Sequence, residues 1–599
     1  MSKFIQPAVI CQQLRHRSPT LITKSTLPRR TTSAPLLAAS HFSQSAAKMS
    51  PISVPVHEDN RFAPSSKSAT AYKRFNLPET VTPGILHLPS SDGAQAKKAL
   101  ETLLAQDRES HHCFFNPAGF HNHLSHHLLA AYDLGASAEL LEAIYENEKA
   151  NLLPIDVVLD SATKQKNGQF DVKKDDVTIT SSNWKRYLGQ NNHYAAYVAF
   201  FTKEIQAVGV KGALERYIFS QDAKQNDALM QWRLTSGVFH PLIQIGYGLE
   251  FNSDAMVAQA LAQTAMHSVR VPEVLLARPP PSSQSTPTPL LEILRKVYDS
   301  DVLKPVMPYD PDVGITQRYK DLYTNGRPEE IQHLSSLWWS KHKSQSGVSS
   351  KEIDAKIEEL IWAATLILGA VSKRDRKPRL DFFLMHILNM TVFLPAYARV
   401  LSTEQMTIVL ECILPSIIAT LIMRGRPRID VDFVMSYTKN PLPRALRRDD
   451  GAGASGDDKA GTTPSKDAIQ PGASNPWLRI LQDVVHAPDP HTMKAIRALY
   501  HGAQAYAYNA APGHVVGAYE YADPTTSPSQ SPILAAKGGD GETKRKEETL
   551  NGSGKLDGTV FVRVAGEVMD VLGWVTYGED AGDWDRSGLG WDDAWKDGK

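Results

Sequence analysis

Four histidines lie within seven residues of the chain, at His121, His123, His126 and His127. On a helix, His123 and His127 are one turn apart and project from the same face, which suits two imidazoles that share a metal ion. An adjoining apolar stripe predicts that this helix packs inwards. A pair at this spacing is also often purely structural, so both interpretations stay open at this point.

Other histidines lie in strongly apolar segments, namely His240, His386 and His267, and His193 follows two asparagines. A lone histidine on an apolar face is usually a core residue whose hydrogen bonds are satisfied. However, a buried imidazole must satisfy two ring nitrogens, and several that converge can do so through a metal ion. The pattern therefore predicts a cavity walled by imidazoles from distant segments.

Imidazole-rich ligation without thiolates suits iron, copper or zinc. A non-heme iron site usually also has a carboxylate ligand, for which Glu250 and Asp381 are candidates. Lys494 is a less ordinary candidate, because an unprotonated buried lysine reacts with carbon dioxide to give a carbamate whose oxygen can bind a metal. The alternative for Lys494 is a solvated side chain beside a helix N-terminus.

The elements that would position these residues are predicted to be helices. Ser137 follows Gly135 and is a candidate N-cap. Apolar residues at a spacing of three to four predict further helices over residues 254–267, 351–368, 381–392 and 493–507. Strand candidates are few, the best being residues 177–180 and 560–564. We therefore predict an all-α fold, a large single multi-helix domain with long disordered insertions.

Composition predicts the following segments. They are a presequence or disordered segment at 1–49, a helical body at 60–445, a linker insertion at 446–474, a helical continuation of the body at 475–522, a disordered linker at 523–557, and a C-terminal segment at 558–599 that packs on the body.

Charge argues against nucleic-acid binding. The chain has 65 basic and 65 acidic residues, and the first 48 residues hold seven basic and no acidic ones. Removing these seven from the 65 leaves 58 basic residues against 65 acidic ones, a net charge of −7. The three cysteines are far apart, which excludes a CxxC motif and favours a reducing compartment.

No segment is predicted to span a membrane. The most apolar one, residues 406–423, contains Glu411 and Pro415, which favours a buried core helix. The N-terminal segment is basic and rich in serine and threonine, as mitochondrial presequences are, unless Met49 is the true start instead of Met1. The predicted location is therefore mitochondrial or cytoplasmic.

A glycine-rich dinucleotide fingerprint occurs at residues 451–456, but it lies inside a predicted linker, with no strand before it and no helix after it. This context argues against a flavin enzyme of the usual type. The competing classes are a helical scaffold whose histidines only pack, and a flavin-dependent oxygenase with an unfamiliar cofactor site.

Several blocks, in this order, resemble the questin oxidase-like family: residues 115–137, 239–250, 381–386, 494–499 and 590–595. The resemblance spans roughly residues 70 to 599. It implies a helical enzyme of fungal polyketide secondary metabolism that uses dioxygen, with NADPH as a cosubstrate, to open a ring of an aromatic or quinone substrate such as an anthraquinone, or that acts as a Baeyer–Villiger-type oxidase.

Carried over by position, the resemblance gives His123, His127, His240 and His386 as ligands of a non-heme iron, with Lys494 as a fifth. Lys494 and Glu250 are the candidate catalytic residues. Tyr194, Tyr247 and Trp232 are candidates for stacking against a planar substrate. One departure from the family is Asn389, where a threonine or serine is expected.

Overall fold

The computed structural model describes residues 86–157, 177–225, 227–276, 286–340, 347–447, 475–520 and 547–596. Over these ranges the backbone forms helices joined by turns, with only isolated β-bridges, so the all-α prediction is confirmed. The predicted presequence, the glycine-rich fingerprint, and most of the predicted linkers at 446–474 and 523–557 lie outside the described residues.

The α-helices in chain order are α1 (Gly93–Ser110), α2 (Leu124–Asp133), α3 (Ala138–Lys149), α4 (Tyr194–Leu214), α5 (Gln221–Lys224), α6 (Met230–Glu250), α7 (Asp254–Met266), α8 (Glu273–Leu276), α9 (Leu290–Asp299), α10 (Ile315–Arg318), α11 (Arg327–Ser336), α12 (Ser350–Gly369), α13 (Phe382–Thr391), α14 (Leu394–Val400), α15 (Thr403–Met423), α16 (Val431–Ser436), α17 (Pro476–Val484), α18 (Pro490–Tyr506) and α19 (Val560–Leu572). A π-helical turn, Glu215–Phe219, continues α4. Short 3-10 segments lie at Trp184–Tyr187, Asn191–His193, Tyr319–Tyr323, Arg444–Leu446, Ala507–Asn509, Ser553–Lys555, Val575–Tyr577 and Asp592–Trp595.

The predicted helices are confirmed, and their starts follow from capping. The Ser137 side chain accepts a hydrogen bond from the backbone N–H of Leu140 at the start of α3, and Gly135 has a φ of +84°. Both strand predictions are wrong. Residues 177–180 have no strand partner, and residues 560–564 form the first turn of α19.

The error at α19 has a physical cause. Its run of valines has high β-propensity, but Val560, Val564 and Val568 recur every four residues and are all fully buried on one helix face. Burial against α12 and α18 decides the conformation, because packing overrides the weaker local preference.

Four helices around the centre of the molecule contact one another in a closed ring. Helix α2 packs on α6, α6 on α13, α13 on α18, and α18 on α2. Each of these four helices carries one of the histidines described below, either inside the helix or at its N-cap. Because the ring is closed, side chains directed inwards from all four helices meet in one interior space.

Helix α6 is broken in the middle by a left-handed turn. Gly237, Val238 and Phe239 have φ values of +57°, +57° and +66°, and the helix resumes at His240 and Pro241. Proline fits here because the first turn of a helix needs no N–H donor. Non-glycine residues in this region are strained, so the surrounding structure must hold the turn in place.

Two stretches are long and apolar enough to cross a membrane, Phe382–Val400 and Thr403–Met423. The most apolar windows of these stretches are 83% and 89% buried inside the protein, respectively. The capping box formed by Ser402 and Gln405 starts the second stretch, α15, as a protein core helix. A buried core helix meets the same criteria of length and composition.

Candidate metal centre

Four histidines from the ring of helices converge. One nitrogen from each of His123, His240, His386 and His491 lies within 4.8 Å of the corresponding nitrogens of the other three. Nε2 of His123 lies 2.7 Å from Nε2 of His240. We refer to these four residues as the histidine cluster. Three are buried, and His123 is partly exposed.

Two imidazoles of the cluster are fixed by backbone carbonyl groups. Nδ1 of His240 lies 2.5 Å from the carbonyl oxygen of Gly237, and Nδ1 of His386 lies 2.8 Å from that of Phe382. A carbonyl oxygen can only accept, so Nδ1 carries the proton in both rings. Nε2 therefore presents its lone pair to the interior, as metal-ligating histidines commonly do.

His491 is fixed by a carboxylate. Asp489 accepts hydrogen bonds from both the backbone N–H of His491, at 2.8 Å, and its Nδ1, at 2.7 Å. Although burial alone would raise the pKa of Asp489, the neighbouring His491 lowers it, so the carboxyl group is ionised. Asp489 also caps α18. The same carboxylate thus starts the helix and leaves Nε2 of His491 free to act as a ligand.

The cluster is electrically neutral at neutral pH. Burial lowers the pKa of His123, His240 and His386 well below its ordinary value, and the positive charge of Lys494 lowers each further. Burial likewise lowers the pKa of His491 to about 4. Neutral imidazole is the form that binds metals.

The unpaired nitrogens fit a metal ion. Nε2 of His386 and Nε2 of His491 are buried without a hydrogen-bond partner, which costs about 1–3 kcal/mol for each such group. With metal–nitrogen bonds of about 2.1 Å, ligand nitrogens lie roughly 3.0 Å apart at right angles and about 4.2 Å apart when opposite. The separation of 2.7 Å between His123 and His240 and the upper limit of 4.8 Å in the cluster bracket these two values. An all-imidazole donor set suits iron, copper or zinc.

The structure brings together three of the histidines predicted as ligands, His123, His240 and His386. His127 is not in the cluster, since its Nδ1 contacts the carboxylate of Glu148. His193, in a 3-10 segment, packs against a tyrosine ring and is also outside the cluster.

The two predicted carboxylate candidates are engaged in buried ion pairs. Glu250 Oε1 accepts from Arg497 Nη2 at 2.6 Å, and Arg497 Nε donates to Asp133 Oδ2 at 2.5 Å. We refer to these three residues as the ion triad. Asp381 caps α13 and pairs with buried Arg424 at 2.8 Å. Neither Glu250 nor Asp381 belongs to the cluster.

Lys494 lies one turn after His491 on α18, on the side of the cluster. Its Nζ is buried and has no hydrogen-bond partner, and burial lowers the pKa of Lys494 to about 7. Its environment is therefore not that of a solvated lysine. Its predicted roles as a ligand and a catalytic residue stay predictions.

His491 and Asp489 were missed by the sequence analysis, although a signal for them exists. The predicted helix began at residue 493, whereas α18 begins at Pro490. An aspartate followed by proline matches an N-cap with proline at the first helical position. This capping signal would have placed His491 in the first turn of a buried helix.

The predicted aromatic residues are distributed around the centre. Tyr247 is buried and stacks on His126 at 4.9 Å, and Tyr194 packs against His112 at 4.8 Å. Trp232 is buried and lines a narrow cleft with a cavity volume of only about 20 Å³, beside the left-handed turn before His240. Asn389, the departure from the family pattern, lies one turn after His386 and has a buried, unpartnered Oδ1.

Comparison with known proteins gives one consistent result. The family model described as Questin oxidase-like matches residues 120–499. Oxidoreductase AflY from Aspergillus parasiticus is 28% identical over 71% of this chain and 76% of the relative. A Baeyer–Villiger oxidase from Pestalotiopsis microspora is 26% identical over 57% of this chain and 74% of the relative. A questin oxidase from Aspergillus fumigatus is 26% identical over 51% of this chain and 64% of the relative, slightly less than two thirds of its length.

Proposed function

The chain belongs to the questin oxidase-like family and is an oxidoreductase, and we propose that it opens a ring of a polyketide-derived aromatic or quinone, with dioxygen as oxidant and with iron held by histidines. The names of its relatives, which include questin oxidase and Baeyer–Villiger oxidase, support oxidation of a small molecule. The pathway would be one of fungal secondary metabolism.

The convergence of four neutral imidazoles from four packed helices is the observation that carries this proposal. His123, His240, His386 and His491 would hold the iron. Iron bound by such residues supplies the activation of dioxygen. The protein supplies the rest: it fixes the imidazoles of His240, His386 and His491 through Nδ1, and it buries these three residues away from water.

The partly exposed ring of His123 indicates the side from which a substrate reaches the centre. Trp232 lies in a narrow cleft of about 20 Å³ beside the turn that precedes His240, so a planar substrate ring would stack on it only after the lining side chains move apart. Arg270 also lines this cleft and can pair with an ionised phenol or carboxyl group of the substrate.

Lys494 is proposed as an additional ligand, through a carbamate formed from its unprotonated amine and carbon dioxide with release of one proton. Its burial without a hydrogen-bond partner supports this. The predicted roles of His127, Glu250 and the cosubstrate NADPH are also left as proposals. For His127 and Glu250 the surrounding contacts give a structural function instead.

Elemental analysis of the purified full-length protein, combined with dioxygen consumption in the presence of a hydroxyanthraquinone, tests the proposal. We expect about one iron per chain and substrate-dependent oxygen uptake, both lost in His240→Ala. His112→Gln is the matched control, because His112 is buried near the cluster but bonds to the backbone carbonyl of Asn191.

The same measurements separate the competing functions. A protein with no stoichiometric metal whose properties survive the His240→Ala change would be a helical scaffold. A flavin absorption band in the metal-free protein would instead identify a flavin-dependent monooxygenase. Either result contradicts the proposed iron centre.

A further inference from the structure

A second pair of histidines lies directly behind His240. The ring of His121 is stacked on the ring of His240, with centroids 3.7 Å apart and planes 7° from parallel. Nε2 of His121 lies 2.8 Å from Nε2 of His267, and both residues are buried. Phe114 packs edge-on against both rings of the pair, at 5.3 and 5.7 Å.

The direction of the hydrogen bond within the pair can be assigned. Nδ1 of His267 lies 2.8 Å from the carbonyl oxygen of Gln263, so this nitrogen carries the proton. Burial lowers the pKa of His267 to about 4, so this ring carries only that one proton. Nε2 of His267 therefore accepts, and Nε2 of His121 donates. Both ring orientations are fixed.

The pair also packs on the turn that holds His240. The carbonyl of Gly237 accepts the Nδ1 proton of His240, and Gly237 itself has a φ of +57°. A Cβ atom at position 237 would overlap Nε2 of His267 and would lie 2.9 Å from Cε1 of His121. Only glycine leaves room for the pair at this distance.

The pair of His121 and His267 thus fixes His240 in two ways. The face of its ring is covered by His121, and its Nδ1 bonds to a strained turn against which His121 and His267 are packed. A left-handed turn with valine and phenylalanine persists only where its neighbours over-determine it. The pair supplies that constraint on the side facing the cluster.

We propose that His121 and His267 are positioning residues, which hold the His240 ring in the orientation that directs its Nε2 at the metal. This inference rests on the proposed metal centre. Neither His121 nor His267 is itself proposed as a metal ligand. The pair acts through the stacked ring and through the backbone of Gly237, and its loss should weaken metal binding without removing a metal ligand.

Cobalt(II) is a suitable probe, because its visible absorption reports ligand geometry independently of catalysis. Full-length protein and variants are titrated with cobalt(II) in the absence of dioxygen. His121→Phe keeps a ring against His240 but removes the hydrogen bond to His267, and His121→Ala removes both. We expect roughly tenfold weaker binding for the first and about 100-fold weaker binding for the second, with a changed absorption band, since loss of outer contacts to a ligand typically costs ~10–100-fold.

His112→Phe is the matched control. His112 is on the same loop, is buried, contacts Phe114 and donates one hydrogen bond, but its ring lies against no member of the cluster. It should lose stability to a similar extent and keep its cobalt affinity and spectrum. Equal weakening in His112→Phe would show that the loop acts only through general stability, and it would overturn the inference.

A second set of variants keeps the test decisive if His121→Ala does not fold. Gly237→Ala pushes a methyl group against His267, so it should weaken cobalt binding. In the double variant with His267→Ala this clash is gone, and Gly237→Ala should then cost much less than it does alone. Strictly additive effects would contradict the proposed contact.

The outcomes also separate this inference from the function on which it rests. Stoichiometric metal in the unaltered protein, with unchanged affinity and spectrum in both His121 variants, overturns the positioning role alone. A protein that binds neither iron nor cobalt stoichiometrically overturns the proposed centre and the positioning role together.

Discussion

Helices α2, α6 and α18 bury two polar clusters of opposite character. They hold three neutral members of the histidine cluster, of which His123 and His240 are hydrogen-bonded to each other through Nε2 and His491 has a buried Nε2 without a partner. Further along, the same helices hold the ion triad, in which Arg497 is hydrogen-bonded to both carboxylates. The fourth histidine comes from α13.

The two clusters therefore differ in role: the buried groups of the triad stabilise the fold, and the buried groups of the histidine cluster are arranged to bind a ligand. In the triad, Arg497 pairs with both Asp133 and Glu250, so opposite charges meet inside the fold, although Glu250 Oε2 and Arg497 Nη1 have no hydrogen-bond partner. In the histidine cluster, His240, His386 and His491 donate their protons outwards through Nδ1, and the inward Nε2 lone pairs of His386 and His491 have no donor to face. A metal ion is the partner that this second arrangement lacks.

The largest expected effect comes from breaking the triad. Arg497→Met leaves two buried carboxylates without their counter-ion, and we expect the free energy of unfolding to fall by about 3–5 kcal/mol. Urea denaturation followed by circular dichroism measures this. Arg374→Met is the control, because Arg374 makes an exposed ion pair with Asp430, and it should change little. Equal effects in the two variants would remove the distinction between the clusters.

Removing a histidine of the cluster should mainly weaken metal binding, whereas breaking the triad should mainly lower stability. His386→Ala deletes a ring nitrogen of the cluster, and we expect metal affinity to fall by more than ~100-fold, beyond the ~10–100-fold typical of outer contacts. Competition with a chelator of known affinity measures this change. Metal affinity that survives in His386→Ala would show that this ring only fills space.

A smaller effect is expected from the carboxylate that orients His491. Asp489→Asn keeps an oxygen that can cap α18, but it removes the negative charge opposite Nδ1. Metal affinity should fall by about tenfold, the lower end of such changes. Asp489→Ala, which also removes the cap, should in addition lower stability by about 1 kcal/mol. If Asp489→Asn binds metal normally, the aspartate serves the helix alone.

The smallest effect is predicted for Glu250→Gln. This variant decides whether Glu250 is a metal ligand or only a member of the ion triad. The amide oxygen still accepts from Arg497, so stability should fall by only about 1 kcal/mol, and metal content should stay unchanged. Elemental analysis and urea denaturation of the same sample measure both quantities. A loss of metal at unchanged stability would return Glu250 to the candidate ligands.

Local sequence signals predicted the elements of the site well. The helix at 381–392 is observed as Phe382–Thr391, with Asp381 as its cap, and the break in α6 precedes a proline that marks a helix start. Where the prediction failed, local signals conflicted. The valine run of α19 resembles a strand, and the late start assigned to α18 left His491 outside the helix.

The sequence by itself determined the all-helical class, the resemblance to the family and three of the four clustered histidines, because periodicity, capping and residue type act over a few neighbouring positions. It could not decide which polar groups meet. His127 lies on the same helix that His123 caps, and Glu250 is a buried carboxylate of the kind that binds iron, yet they face Glu148 and Arg497. That choice depends on how α2, α6, α13 and α18 pack, and on a left-handed turn that only the surrounding rings stabilise.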